Sequence, residues 1–156
     1  MKAVALLLLL VAGPAAARET IGVYKGWAAF RDPDRCYAIA QPVVAGGAAR
    51  WRPFASVGNW PAKRLRTSLH VRLSRERSRA APVTLTVGER RFELVGNAVD
   101  AWAADAASDR AIVAALRSGR SMSVEAVGAS GRPFADSYAL SGAATAIDAA
   151  VLACAG

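Results

Sequence analysis

Two cysteines, one histidine and a crowd of arginines are the residues of this chain with chemistry to offer. Cys36 and Cys154 are its only cysteines, and His70 is its only histidine. A zinc site usually takes four ligands, so a metal centre built on these residues is poorly supplied. A redox couple typically stands as C-x-x-C, and these thiols are far apart in sequence. In an exported chain an even number of cysteines reads as a disulfide. Closing a loop of more than a hundred residues, Cys36–Cys154 would contribute on the order of 4–5 kcal/mol by the chain-entropy argument.

His70 lacks the company that catalysis needs. A Ser-His-Asp arrangement requires a nucleophile and an orienting carboxylate beside the imidazole, and no G-x-S-x-G elbow occurs. Asp32, Asp34, Asp100, Asp105, Asp109 and Asp136 are scattered, without the spacing of a calcium loop. The glycines fall at turn positions rather than in a phosphate-binding loop. The expectation is a non-enzyme with no metal and no cofactor, in which His70 is an exposed strand residue.

The arginines are concentrated. Arg50–Arg91 holds eleven basic residues against Glu76 and Glu89, while the rest of the chain is close to neutral. Arginine forks onto phosphate or carboxylate, although a GC-rich genome also encodes much arginine. Trp51 and Trp60 lie inside this segment, where packing and ligand binding are both open to them; Trp27 and Trp102 read as packing. The candidate binding set is Arg64, Arg66, Arg72, Arg75, Arg77 and Arg79 with Trp51 and Trp60, extended by Lys63. Its partner would be polyanionic: an envelope lipid, a glycan or an acidic protein.

The elements that must position these residues begin with an address. Met1–Ala17 has Lys2, an apolar run from Ala3 to Ala12, and Ala15-Ala16-Ala17. That is the layout of a cleaved secretory signal. Residues 18–156 are then expected as one domain, periplasmic or secreted. Nucleic acid is not an expected partner there, and no later segment is apolar enough to span a bilayer.

Strand signals dominate the mature chain. Ile21–Phe30 and Arg35–Pro42 are apolar runs around the turn Asp32-Pro33-Asp34. Cys36, Ala38 and Ala40 alternate with Tyr37, Ile39 and Gln41 and are expected to point inward. Leu65–Leu73 puts Leu65, Thr67, Leu69, Val71 and Leu73 on one face and Arg66, Ser68, His70 and Arg72 on the other. Ser74–Ala81 reads as a charged loop. Val83–Val87 and Arg90–Val95 form a hairpin over Gly88-Glu89, Val99–Ala103 is a short strand, and Ser121–Val127 with Pro133–Leu140 is a second hairpin. Helices are expected at Asp109–Arg117, with Ser108 as N-cap and Gly119 past the end, and at Gly142–Leu152, capped by Ser141. The second helix carries Ala143, Ile147, Ala150 and Cys154 along one stripe. The fold class is mainly β, an antiparallel β-sandwich of about seven strands with two short helices in the C-terminal third.

Several of these segments together resemble the invasion-associated locus B family. The residues are DRAIVAALRSG at Asp109–Gly119, Met122-Ser123-Val124, DSYALSG at Asp136–Gly142 and the run to Cys154. Tyr24-Lys25-Gly26-Trp27, Cys36-Tyr37, Gln41 and the central TLTVGERRFELVG look like that family too. The chain departs from the pattern in lacking a further cysteine pair near Val95–Asp109. The resemblance implies a small β-rich periplasmic or envelope protein with no established enzymatic activity, in a family with members linked to host-cell interaction. Two functions are carried forward: a binder of polyanions through its basic face, and a periplasmic chaperone-like or complex-stabilising subunit holding a protein partner along a sheet edge.

Overall fold

The computed structural model describes residues 17–47 and 51–155. The expected signal, save Ala17, lies outside the described residues, as does Arg50 at the start of the basic segment. The strands are β1 (Glu19–Tyr24), β2 (Trp27–Asp32), β3 (Arg35–Ala40), β4 (Phe54–Trp60), β5 (Leu65–Arg72), β6 (Val83–Val87), β7 (Arg90–Gly96), β8 (Asp100–Ala103), β9 (Ser121–Val127) and β10 (Pro133–Ala139). The helices are α1 (Ala106–Ser118) and α2 (Ala143–Ala153). The class is therefore mainly β and antiparallel with two C-terminal helices, as expected. The described strands number ten rather than about seven, and they form one continuous sheet in the order β1-β2-β3-β4-β5-β8-β7-β6-β9-β10.

Two features account for the added strands. Ile21–Phe30 is split at Lys25, whose φ of 57° turns the chain back so that Tyr24 pairs with Trp27. Phe54–Trp60 (FASVGNW) is a strand that alternation does not reveal, since Gly58 and Asn59 dilute its β-propensity. It is nonetheless central, pairing with both β3 and β5.

The sheet wraps a single main core. Buried side chains from β2 to β10 join Ile112, Leu116, Ala143 and Ile147 of the helices in one cluster. The indole of Trp27 is fully buried and donates to the Ala139 carbonyl at 2.9 Å, tying β2 to the end of β10. The chain after β3 returns to pair Val44 with Ser137 of β10. Burying this many apolar side chains is the dominant favourable term, and the alternation of β5 feeds it directly, with Leu69, Val71 and Leu73 wholly buried.

The helices pack where their stripes direct, but their caps differ from expectation. Helix α1 starts three residues earlier than predicted and is capped by Asp105, whose carboxylate accepts from the Ser108 amide at 2.7 Å. Gly119 ends it in extended rather than left-handed backbone. Helix α2 is capped by Gly142 without a side-chain bond from Ser141. Gly142 sits at φ 90° with the Tyr24 carbonyl against it, a place where a side chain would find neither space nor an easy conformation. Ala143, Ala146, Ile147 and Ala150 face inward, and Cys154 continues their stripe to meet Cys36. The disulfide is formed, with Cα atoms 5.8 Å apart.

Candidate functional site

Cross-strand pairing assembles the outer face of the sheet around His70. Ser56, His70 and Trp102 lie side by side across β4, β5 and β8, with Phe54, Arg72 and Asp100 in the next row. The Arg72 guanidinium forks onto Asp100, with Nε to Oδ1 at 2.9 Å and Nη2 to Oδ2 at 3.1 Å. His70 Nε2 lies 2.8 Å from the same Oδ1. The imidazole stacks on Trp102 at 5.2 Å and takes Phe54 edge-on at 5.1 Å. Burial alone would raise the Asp100 pKa, but the hydrogen bonds from Arg72 and His70 overcome it and hold the carboxyl below its ordinary value. His70 is thus a half-buried, partnered residue instead of an exposed one. Trp102 is 36 % exposed beside the still more exposed Val95, so it packs against its neighbours without being core.

The loop after β5 consumes two more predicted ligands. Arg77 is only 9 % exposed. It donates to the carbonyls of Ser78, Ala81, Gly96 and Asn97, pinning the loop to the β7–β8 turn. Arg75 donates to the Gly46 carbonyl at 2.6 Å and lies over the Phe134 ring. Beside them Asp136, fully buried, accepts from the amides of Gly46 and Ser74 and from the Ser74 hydroxyl. Ser74–Ala81 is a loop, as expected, but one fastened to its surroundings by these bonds. Trp51 donates to the Leu73 carbonyl at 2.7 Å and belongs to this fastening. Arg79 is exposed.

The other end of β5 is built differently. Pro61–Lys63 forms a single 3-10 turn, Arg64 follows at φ 53°, and Thr67 sits at φ 49°. Left-handed backbone at two non-glycine residues is costly and needs surrounding structure to hold it. Asn59 supplies that hold. Buried at the bulge between Gly58 and Trp60, it accepts from the Thr67 amide at 3.0 Å and donates to the Cys36 carbonyl at 3.4 Å. Gly58 leaves room for the Trp60 ring, which lies across it. Pro61 to Arg66 are all exposed. Lys63, Arg64 and Arg66 make no ion pair among the described residues, in contrast to Arg18, Arg31, Arg35, Arg72, Arg91 and Arg117.

Arg64 and Arg66 open onto a cavity of about 390 Å³ lined with Asn59, Pro61, Val151, Cys154 and Ala155. Its far wall is the last turn of α2, fixed by the disulfide and by Arg31, which donates to the Ala153 carbonyl. A second cleft on the other side of Pro61 and Cys154 includes Asp32 and Arg35. There burial would raise Asp32, but hydrogen bonds from Arg18 and Arg35 hold it low.

The predicted set therefore divides. Arg64 and Arg66 are brought together at the cavity, with Lys63 exposed next to them in sequence, whereas Arg72, Arg75, Arg77 and Trp51 serve internal bonds. Sequence reasoning missed Asn59, Asp100 and the α2 wall. The alternation of Leu65–Leu73 places His70 with Arg72, but the β5–β8 pairing that delivers Asp100 skips two strands and leaves no local signal.

No family model matches the chain, and no curated protein does. Among solved structures it is similar to the crystal structure of invasion-associated protein B from Bartonella henselae, at 17 % identity and a TM-score of 0.58. The match covers 88 % of this chain and 99 % of the other. The chain has that protein's fold. The family resemblance read from Asp109–Gly119 and Asp136–Gly142 thus holds for architecture: DRAIVAALRSG lies in α1 and its end, and DSYALSG runs from β10 into the cap of α2.

Proposed function

We propose that the protein is an exported, non-enzymatic binder of polyanions, and that its contact site is the Lys63-Arg64-Leu65-Arg66 corner rather than the whole basic segment. The observation that carries this reading is the contrast in guanidinium partners: Arg72, Arg75 and Arg77 are bonded inside the fold, while Arg64 and Arg66 are held outward at a cavity on strained backbone. Strain retained around an unpaired cation cluster is the kind of feature that binding explains. Export rests on the Met1–Ala17 pattern, and N-terminal analysis of periplasmic material should find Arg18 first.

The test is retention on immobilised heparin at rising salt. Exposed charges are screened beyond about 8 Å at physiological ionic strength, so elution should move with salt, and Arg64→Glu with Arg66→Glu should weaken retention by about tenfold or more. Unchanged retention in that variant would remove the proposal.

A second reading, the chaperone-like subunit, draws on β1. It pairs with β2 alone among the described strands, and Val23 beside that edge is 70 % exposed. A stoichiometric complex that ignores salt and is lost in Val23→Lys would favour it.

A further inference from the structure

Resting on the polyanion reading, we infer that the partner of the β4–β5 corner is an anionic membrane surface, which Lys63, Arg64 and Arg66 meet at the phosphates while Leu65 enters the interface. Composition points there first. Six consecutive exposed residues, Pro61 to Arg66, comprise three cations, three apolar residues and no acid. A soluble polyanion needs the cations and gains nothing from an exposed leucine between two of them. A bilayer surface uses both, because anionic headgroups attract juxtaposed cations and apolar side chains add burial at the headgroup boundary.

Local structure supports the same occupant. Leu65 is 39 % exposed, whereas Leu69 and Val71 further along the strand are wholly buried, and the register shift between them turns Leu65 to the face of Trp60. The left-handed residues Arg64 and Thr67 interrupt the regular strand on either side of Leu65 and Arg66. Leu65 is cross-strand partner to Trp60, which places an aromatic side chain at the base of the corner. Amphipathic rings of this kind favour the water–lipid interface. The neighbouring β2–β3 hairpin does not cancel the charge: Asp32 is held by Arg18 and Arg35. Asp34 is the remaining acid at that hairpin. The last turn of α2, which walls the cavity, adds the exposed Leu152.

Flotation with vesicles separates this inference from the reading beneath it. The full chain, purified from the periplasm of an expression host, is mixed with phosphatidylcholine vesicles with and without phosphatidylglycerol, and in parallel with heparin. Wild type should float only with phosphatidylglycerol, and Trp60 emission should shift to the blue, a shift missing in Trp60→Phe. Arg64→Glu with Arg66→Glu should weaken both vesicle and heparin binding by about tenfold or more. Leu65→Ser should weaken vesicle binding by about threefold to tenfold and leave heparin retention as in wild type. Heparin binding with no flotation, or flotation untouched by Leu65→Ser, overturns the membrane inference and leaves the polyanion reading standing. Loss of neither activity in the double glutamate variant overturns both. Leu65 contributes little to the core, so the serine variant should keep its melting temperature, which is checked alongside.

Discussion

The two ends of β5 carry similar residues and do opposite things with them. At the Arg72 end the cations are bonded to a carboxylate and to backbone carbonyls, and the aromatic rings of Phe54, His70 and Trp102 close over the sheet. At the Arg66 end the cations face outward, the backbone is bent at two left-handed residues, and a cavity lies alongside. The difference teaches that arginine density measures charge but not availability. A guanidinium that satisfies buried carbonyls is part of the fold, since those acceptors would otherwise be left unpaired.

The contrast can be broken first at the disulfide, where the largest effect is expected. Cys36 and Cys154 fix the wall facing Arg64 and Arg66, so reduction or Cys154→Ser should cost about 2–5 kcal/mol of stability. It should also loosen the cation corner, read by calorimetry and by heparin retention together. Next comes Arg77→Ala, which strips the donors from four carbonyls and should cost roughly 2–3 kcal/mol while sparing retention. Reduced retention with an unchanged melting temperature would invert the assignment of that end.

A smaller effect is expected from acid. Asp100 is held below its ordinary pKa in the folded chain, so it contributes stability that is present above the unfolded carboxylate value of about 4 and lost as pH falls through the lower folded value. Asp109 works the other way. Burial raises its pKa against the hydrogen bonds from Leu69 and Ser68, so its contribution declines as pH rises through the carboxylate range. Asp100→Asn should therefore flatten acid destabilisation, and denaturant midpoints measured across the acid range check it. The smallest effect on stability, within about 0.5 kcal/mol, is expected for Arg64→Ala and Arg66→Ala, both exposed.

Much of this contrast is legible in the sequence. Period-two alternation locates β5 and the inward face of Leu69, Val71 and Leu73, but not the break at left-handed Thr67 that leaves Leu65 exposed, and the hairpins at Gly88 and Gly131 come from their turn residues. The even cysteine pair names the disulfide, and the Ala143–Cys154 stripe aims it. What escapes is non-local. Asp100 reaches Arg72 only because β8 inserts beside β5, out of sequence order. Arg77 looks like a loop charge until the β7–β8 turn brings carbonyls to it. Phe54–Trp60 hides as a strand because its glycine and asparagine serve a bulge and a packed indole rather than an alternating face.

The most direct test sets Arg64→Ala with Arg66→Ala against Arg72→Ala, measuring melting temperature and heparin elution on the same samples. The double variant should keep its melting temperature and elute at lower salt, whereas Arg72→Ala should melt earlier and elute close to wild type. If Arg72→Ala instead loses retention while the double variant binds normally, the polyanion site lies at the other end of β5 and the account is wrong.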